Sequence, residues 1–142
     1  MAMTCVPYIS FPANAAEAFP YYQELFGGKL EVMTYDQFPS TEGFPFTPPP
    51  DSVAHATLTA PGITLTGGDG MGDDLPGLAS DVYSFLLEFV DDDEARTFIS
   101  KVTDGGGKIA MPFEQAPWGD RYGQVHDRFG IRWDVNVPGD GR

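Results

Sequence analysis

Apolar and polar residues alternate strictly from Ile131 to Val137. Ile131, Trp133, Val135 and Val137 fall on one face of a predicted strand, and Arg132, Asp134 and Asn136 on the other. With residues 122–127 and a turn at 128–130, this strand forms a predicted hairpin. Residues 52–60 (SVAHATLTA), a Pro61-Gly62 turn and residues 63–66 form another. Each hairpin follows a segment that reads as strand, helix, strand, and the two segments resemble each other. One starts at Val6 (VPYISFPANAAEAFPYYQELFGGKL) and the other at Val82 (VYSFLLEFVDDDEARTFISKVTDGGGKI). Glu17-Ala18 aligns with Glu94-Ala95, and Tyr21 with Phe98. Asn14 and Asp91 each stand three residues before a Glu, the spacing of a capping box at a helix start. Gly27-Gly28 and the run from Gly105 to Gly107 supply the helix stops. Pro20 inside the first helix predicts a kink or a delayed start. The expected fold class is α+β, a tandem repeat of βαβββ.

Composition narrows the function. The 142 residues suit a single domain over 1–142, with module one at 5–67, a linker at 68–81 and module two at 82–138. Hydrophobic residues make up 42%, enough for a packed core. Eight Lys and Arg against 21 Asp and Glu give a net charge of −13. Such a field repels phosphate backbones, so neither nucleic acid nor an anionic membrane is expected as a partner. The single cysteine, Cys5, rules out an internal disulfide and a thiolate zinc cluster, and is expected to be a buried thiol. The stretch MAMTCVPYIS has no basic n-region, and no run reaches the ~20 apolar residues of a membrane span. A soluble, cytoplasmic protein is the expectation.

The glycine-rich stretch 67–80 (GGDGMGDDLPGLAS) follows no parallel strand–turn–helix unit, so it reads as a polar linker and not a nucleotide loop. No Rossmann-type unit for S-adenosylmethionine is visible, and no Ser/His/Asp or Cys/His pairing stands out. Residues 38–50 (FPSTEGFPFTPPP) form a long loop rich in Pro and Phe. A lid, a subunit contact and a loop packed on its own core are all open readings.

Several motifs carry a resemblance. They are the run from Pro7 to Phe11, Asn14 with Glu17-Ala18, Tyr21-Tyr22, and the run from Leu25 to Gly28. His55-Ala56, the WGDRYG segment from Trp118 to Gly123, and Asp127 with Phe129-Gly130 and Trp133 complete the set. The chain resembles the vicinal oxygen chelate superfamily, also called glyoxalase/bleomycin-resistance/dioxygenase proteins, and within it the PhnB-like branch. The resemblance covers residues 6–137. It implies two βαβββ modules with their sheets paired around a cleft, in a homodimer. It also implies a divalent metal held by His, Glu or Gln at the first and last strands of each module, acting as a Lewis acid. Those positions fall here on Pro7 or Tyr8, Thr66, Ser84 and Asp134. Only Asp134 has a suitable side chain, so no metal cofactor is expected at the usual site.

The candidate binding residues are Tyr8, His55, Glu88, Trp118, Arg121, Tyr122 and Asp134. His55 shares a strand face with Thr57 and Thr59, and reads as a half-buried, hydrogen-bonded histidine, a pocket base or a ligand. His126 reads as a surface or turn residue. Glu88 sits in an otherwise apolar strand on the face of Ser84, with Arg132 or Arg121 as a candidate partner. Trp118, Arg121 and Tyr122 could together hold an anionic or planar ligand, or Trp118 could be a structural plug. One reading is a metal-free protein binding a small organic ligand in a dimer cleft, the net charge favouring a cation. The alternative is a metal-dependent lyase or dioxygenase-type enzyme with a non-standard site of His55, Glu88 and Asp134. A duplicated scaffold serving only as a dimer surface is the third.

Overall fold

A computed structural model of the chain describes residues 2–38, 40, 42–43, 47–72 and 74–139. The chain divides into two compact units, Met1–Gly77 and Leu78–Arg142. The first contains β1 (Tyr8–Phe11), α1 (Ala15–Phe26), β2 (Lys29–Thr34), β3 (Val53–Ala60) and β4 (Ile63–Asp69). The second contains β5 (Phe85–Glu88), α2 (Asp92–Asp104), β6 (Lys108–Gln115), β7 (Arg121–His126) and β8 (Arg132–Val137). The strand order is β1-β4-β3-β2 in one sheet and β5-β8-β7-β6 in the other. In each, the first strand pairs parallel with the last and the remaining pairs are antiparallel. Both units are therefore βαβββ modules, as the internal repeat predicts.

The repeat is a repeat of core positions. Ala18 and Ala95 are fully buried, and Tyr21 and Phe98 nearly so, where each helix lies on its own sheet. In the first unit Phe19 packs edge to face on both Phe11 and Tyr22, with Phe11 and Phe19 ring centroids 5.4 Å apart. In the second, Trp133, Val135, Val125 and Val102 are buried on the helix side. Each such side chain contributes about 1.5–3 kcal/mol of burial. Each helix covers one face of its sheet, and the polar positions of the alternating strands occupy the other, helix-free face.

Four expectations change. The strand predicted at 63–66 runs on to Asp69, so the first glycines of the supposed linker belong to β4. A Cβ at Gly67 would collide with the Ile9 carbonyl oxygen of the neighbouring β1, which is why the strand carries glycine there. The first helix starts at Ala15, ahead of Pro20, so its start is not delayed. Asn14 makes no capping hydrogen bond, whereas Asp91 accepts one from the Glu94 amide at 2.8 Å. Cys5 is exposed, because residues 2–7 precede β1 and belong to no strand or helix. The 38–50 loop lies partly outside the described residues. No helix among the described residues is long and apolar enough to cross a membrane.

Candidate functional site

Register places the functional side chains of the second unit in rows across its helix-free face, because residues paired across strands point to the same side. One row runs Lys108, His126, Arg132. The next runs Gln124, Asp134, Leu86, and the third Glu114, Tyr122, Asn136, Glu88.

Asp134 is the hub. Its Oδ2 accepts from the Ser84 hydroxyl and the Tyr122 phenol, both at 2.8 Å. Arg132 donates from Nε to Oδ1 at 2.9 Å and from Nη2 to Oδ2 at 3.3 Å. Gln124 in turn donates to the Tyr122 oxygen at 3.0 Å. Burial works to raise the Asp134 pKa, but the bonds from Arg132, Ser84 and Tyr122, with the Arg132 charge, outweigh it and hold the carboxyl below its ordinary value. The same bond from Asp134 raises the Arg132 pKa. Glu88 lies on this face as parity predicts, but its donor is Asn136 Nδ2 at 3.2 Å, not Arg132 or Arg121. His126 is the last residue of β7, its side chain only 17% exposed, rather than a surface turn residue.

The WGDRYG segment resolves into separate tasks. Trp118 is 63% exposed on the turn before β7, its ring edge-on to Tyr122 at 6.0 Å. Asp120 is buried and accepts from the Gly139 amide at 2.9 Å and from Asn136 Nδ2 at 3.2 Å. Arg121 pairs with Asp92 in the first turn of α2 at 2.7 Å and lies over the Phe113 ring. That is the helix side of the sheet, so Arg121 does not join Tyr122, its neighbour on the opposite face. Gly123 passes Phe113 so closely that a Cβ would stand 2.8 Å from the Phe113 Cα. In the next turn, Asp127 accepts from the Phe129 amide at 2.8 Å and the Trp133 indole at 2.9 Å, which makes that part of the motif structural.

On the helix-free face of the first unit, register aligns Tyr8 with Thr66, Thr57 and Glu31. Met33 pairs with His55 one row away. The Tyr8 and His55 rings stack with centroids 5.9 Å apart, and Thr57 Oγ1 lies 3.1 Å from His55 Nε2. Both rings are exposed. Nearby, the Tyr35 pKa is raised, first by burial and then by electrostatic interaction with Tyr8 and Asp69. Sequence reasoning missed Asp69, whose two oxygens accept from the Ala15 amide at 2.9 Å and the Val53 amide at 2.8 Å. The bonded partners are 54 and 16 residues away, and no local pattern announces them.

Comparison with known proteins matches residues 7–135 to the Glyoxalase/Bleomycin resistance protein/Dioxygenase superfamily. The chain belongs to this superfamily. It is 27% identical to Protein YjdN of Escherichia coli (strain K12) over 145 residues, 95% of each chain. The structure of protein PA1353 from Pseudomonas aeruginosa superimposes with a TM-score of 0.78 at 28% identity, covering 98% of this chain and all of that one. A PhnB protein from Bacillus cereus shares the fold with a TM-score of 0.72 at 22% identity, covering 96% and 100%.

The superfamily often binds metals, but the residues here do not fit one. Thr66 spends its hydroxyl proton on the Pro7 carbonyl at 2.7 Å, and Pro7 has no ligating side chain. Ser84 is a donor to Asp134, and Asp134 already faces a guanidinium. Among the described residues no three His, Cys, Asp or Glu side chains form a group that could hold a metal ion.

Proposed function

We propose that this superfamily member is a PhnB-like binding protein, a cytoplasmic homodimer that takes a small organic ligand without a metal. One observation carries the reading. The only carboxylate at a family ligand position, Asp134, has its charge met by Arg132 and its lone pairs filled by Tyr122 and Ser84. A divalent cation there would have to displace a guanidinium from a charge-assisted hydrogen bond. The same cluster instead makes a fixed polar wall, and the exposed Trp118 ring beside Tyr122 adds an aromatic surface. On the first unit, Tyr8 stacked on His55 offers a second aromatic surface flanked by threonine hydroxyls.

The test has two readouts. Elemental analysis of tag-free protein prepared without chelator should find no stoichiometric nickel, zinc, manganese or iron, and adding these ions should not raise the melting temperature. Titration with small aromatic compounds should change the total tryptophan fluorescence of wild type but not that of W118F, in which only the buried Trp133 remains. Near-stoichiometric metal would overturn the reading in favour of a metal-dependent lyase or dioxygenase-type enzyme.

A further inference from the structure

We propose that one end of the second sheet is a binding site for the carboxylate of a small organic acid, and that Asp81 is an internal carboxylate standing in that site. The inference rests on the ligand-binding reading above and names the chemical class of the ligand.

Lys108, His126 and Arg132 are in direct register across β6, β7 and β8. Three basic side chains therefore stand side by side on the helix-free face of a chain whose net charge is −13. The net field would favour a cation, but contacts at a few ångströms are decided by the nearest charges. Arg132 is balanced by Asp134. Lys108 has no ion-pair partner among the described residues. The row thus keeps one positive charge beyond what Asp134 neutralises, which suits a monoanion.

Asp81 supplies that anion in the structure. Its Oδ1 lies 3.7 Å from His126 Nε2 and 3.8 Å from Arg132 Nη1. Both separations are too long for hydrogen bonds, and the Asp81 side chain is 85% exposed. An exposed ion pair at such distances is weak and easily exchanged. Beside it, an open cavity of about 750 Å³ is lined by residues 79–81, the turn from Gly106 to Lys108, and residues 126–130. Lys108 and His126 face the cavity with a cation and an imidazole, and Ala79 and Phe129 give it apolar wall. A carboxylate replacing Asp81 would meet Lys108, His126 and Arg132, while an aromatic or aliphatic body would rest in the cavity.

The experiment is a titration of the full-length protein with benzoate, and with its neutral isostere benzamide, at constant ionic strength. It is followed by backbone amide chemical shifts. Benzoate should give saturable shifts concentrated at residues 79–81, 106–108 and 126–130, and benzamide should not. D81N removes the internal competitor and should tighten benzoate binding roughly two- to fivefold, the worth of an exposed ion pair. K108A should weaken binding by a similar factor. Both positions are exposed, so neither variant threatens the fold. Equal shifts with benzamide, or D81N affinity equal to wild type, would overturn the proposal. If Trp118 reports organic ligands while benzoate leaves these amides unmoved, the ligand-binding reading stands and the carboxylate site falls.

Discussion

An aspartate that accepts from a guanidinium, a phenol and a hydroxyl is held in its charged form more firmly than one in water. For Asp134 this has a definite pH consequence, because its folded pKa lies below the ordinary value. A depressed carboxyl contributes stability that is fully present above the unfolded pKa of about 3.9 and is lost as pH falls through the folded pKa. D134N keeps an oxygen for Arg132 but loses the charge. The variant should be less stable than wild type by about 1.5–3 kcal/mol at pH 7, the worth of hydrogen bonds to a charged group. That gap should narrow below about pH 4. Urea unfolding at a series of pH values measures it, and a gap that stays constant down to pH 2 would show that the charge is not what Asp134 contributes. Y122F tests the same hub from the other side. It removes one donor to Asp134 and the acceptor for Gln124, and should cost about 1 kcal/mol with no change of fold.

Helix capping divides the two modules at the scale of elements. Asp91 caps α2 locally, through the Glu94 amide. The first turn of α1 is capped from outside, by Asp69 at the end of β4, which also holds the amide at the start of β3. One carboxylate therefore fixes a helix, the strand before the hairpin turn and the strand after it. D69A should cost about 3 kcal/mol by chemical denaturation, since two charge-assisted bonds disappear and two part-buried amides lose their acceptor. D91A should cost about 1 kcal/mol, the usual loss for a cap, and N14A less than about 0.5 kcal/mol. If N14A proved the most damaging of the three, the cap assignment would be wrong. This contrast also marks what the sequence made legible. Strand parity and the repeat were readable because periods of 2 and 3.6 are local, and they placed Trp133 in the core and Asp134 and Glu88 on the other face. Asp69 was not readable, because its bonds close a loop of 54 residues. Gly67 looked like linker for a related reason: its lack of a side chain answers to β1, far away in sequence. Arg121 was grouped with Tyr122 by adjacency, although the strand's own alternation sends adjacent residues to opposite faces. The Lys108, His126, Arg132 row needed the β6–β7 register, which two bulges in β6 hide from any count along the chain.

Across the whole molecule, 21 acidic residues against 8 basic ones set up a self-repulsion that no single contact reveals. Folding brings these charges together, so the compact state bears more of the cost than the unfolded chain. Salt acts on two terms of opposite sign. It screens the repulsion among carboxylates, which stabilises the fold, and it weakens ion pairs such as Arg121 with Asp92 and Lys29 with Glu31, which destabilises it. Surface pairs are each worth less than about 1 kcal/mol, and with so few cations they are outnumbered. The Asp134 cluster is part-buried and is screened less. The balance therefore favours screening. Raising sodium chloride from 10 to 500 mM should raise the melting temperature by about 2–4 °C, the equivalent of about 1 kcal/mol for a chain of this size. The rise should be steepest below about 0.1 M, where the Debye length falls to ~10 Å. A melting temperature that falls with salt would mean that the ion pairs outweigh the repulsion. The same titration at pH 4, close to the sequence pI of 4.2, should show a much smaller rise, because the repulsion is then largely titrated away.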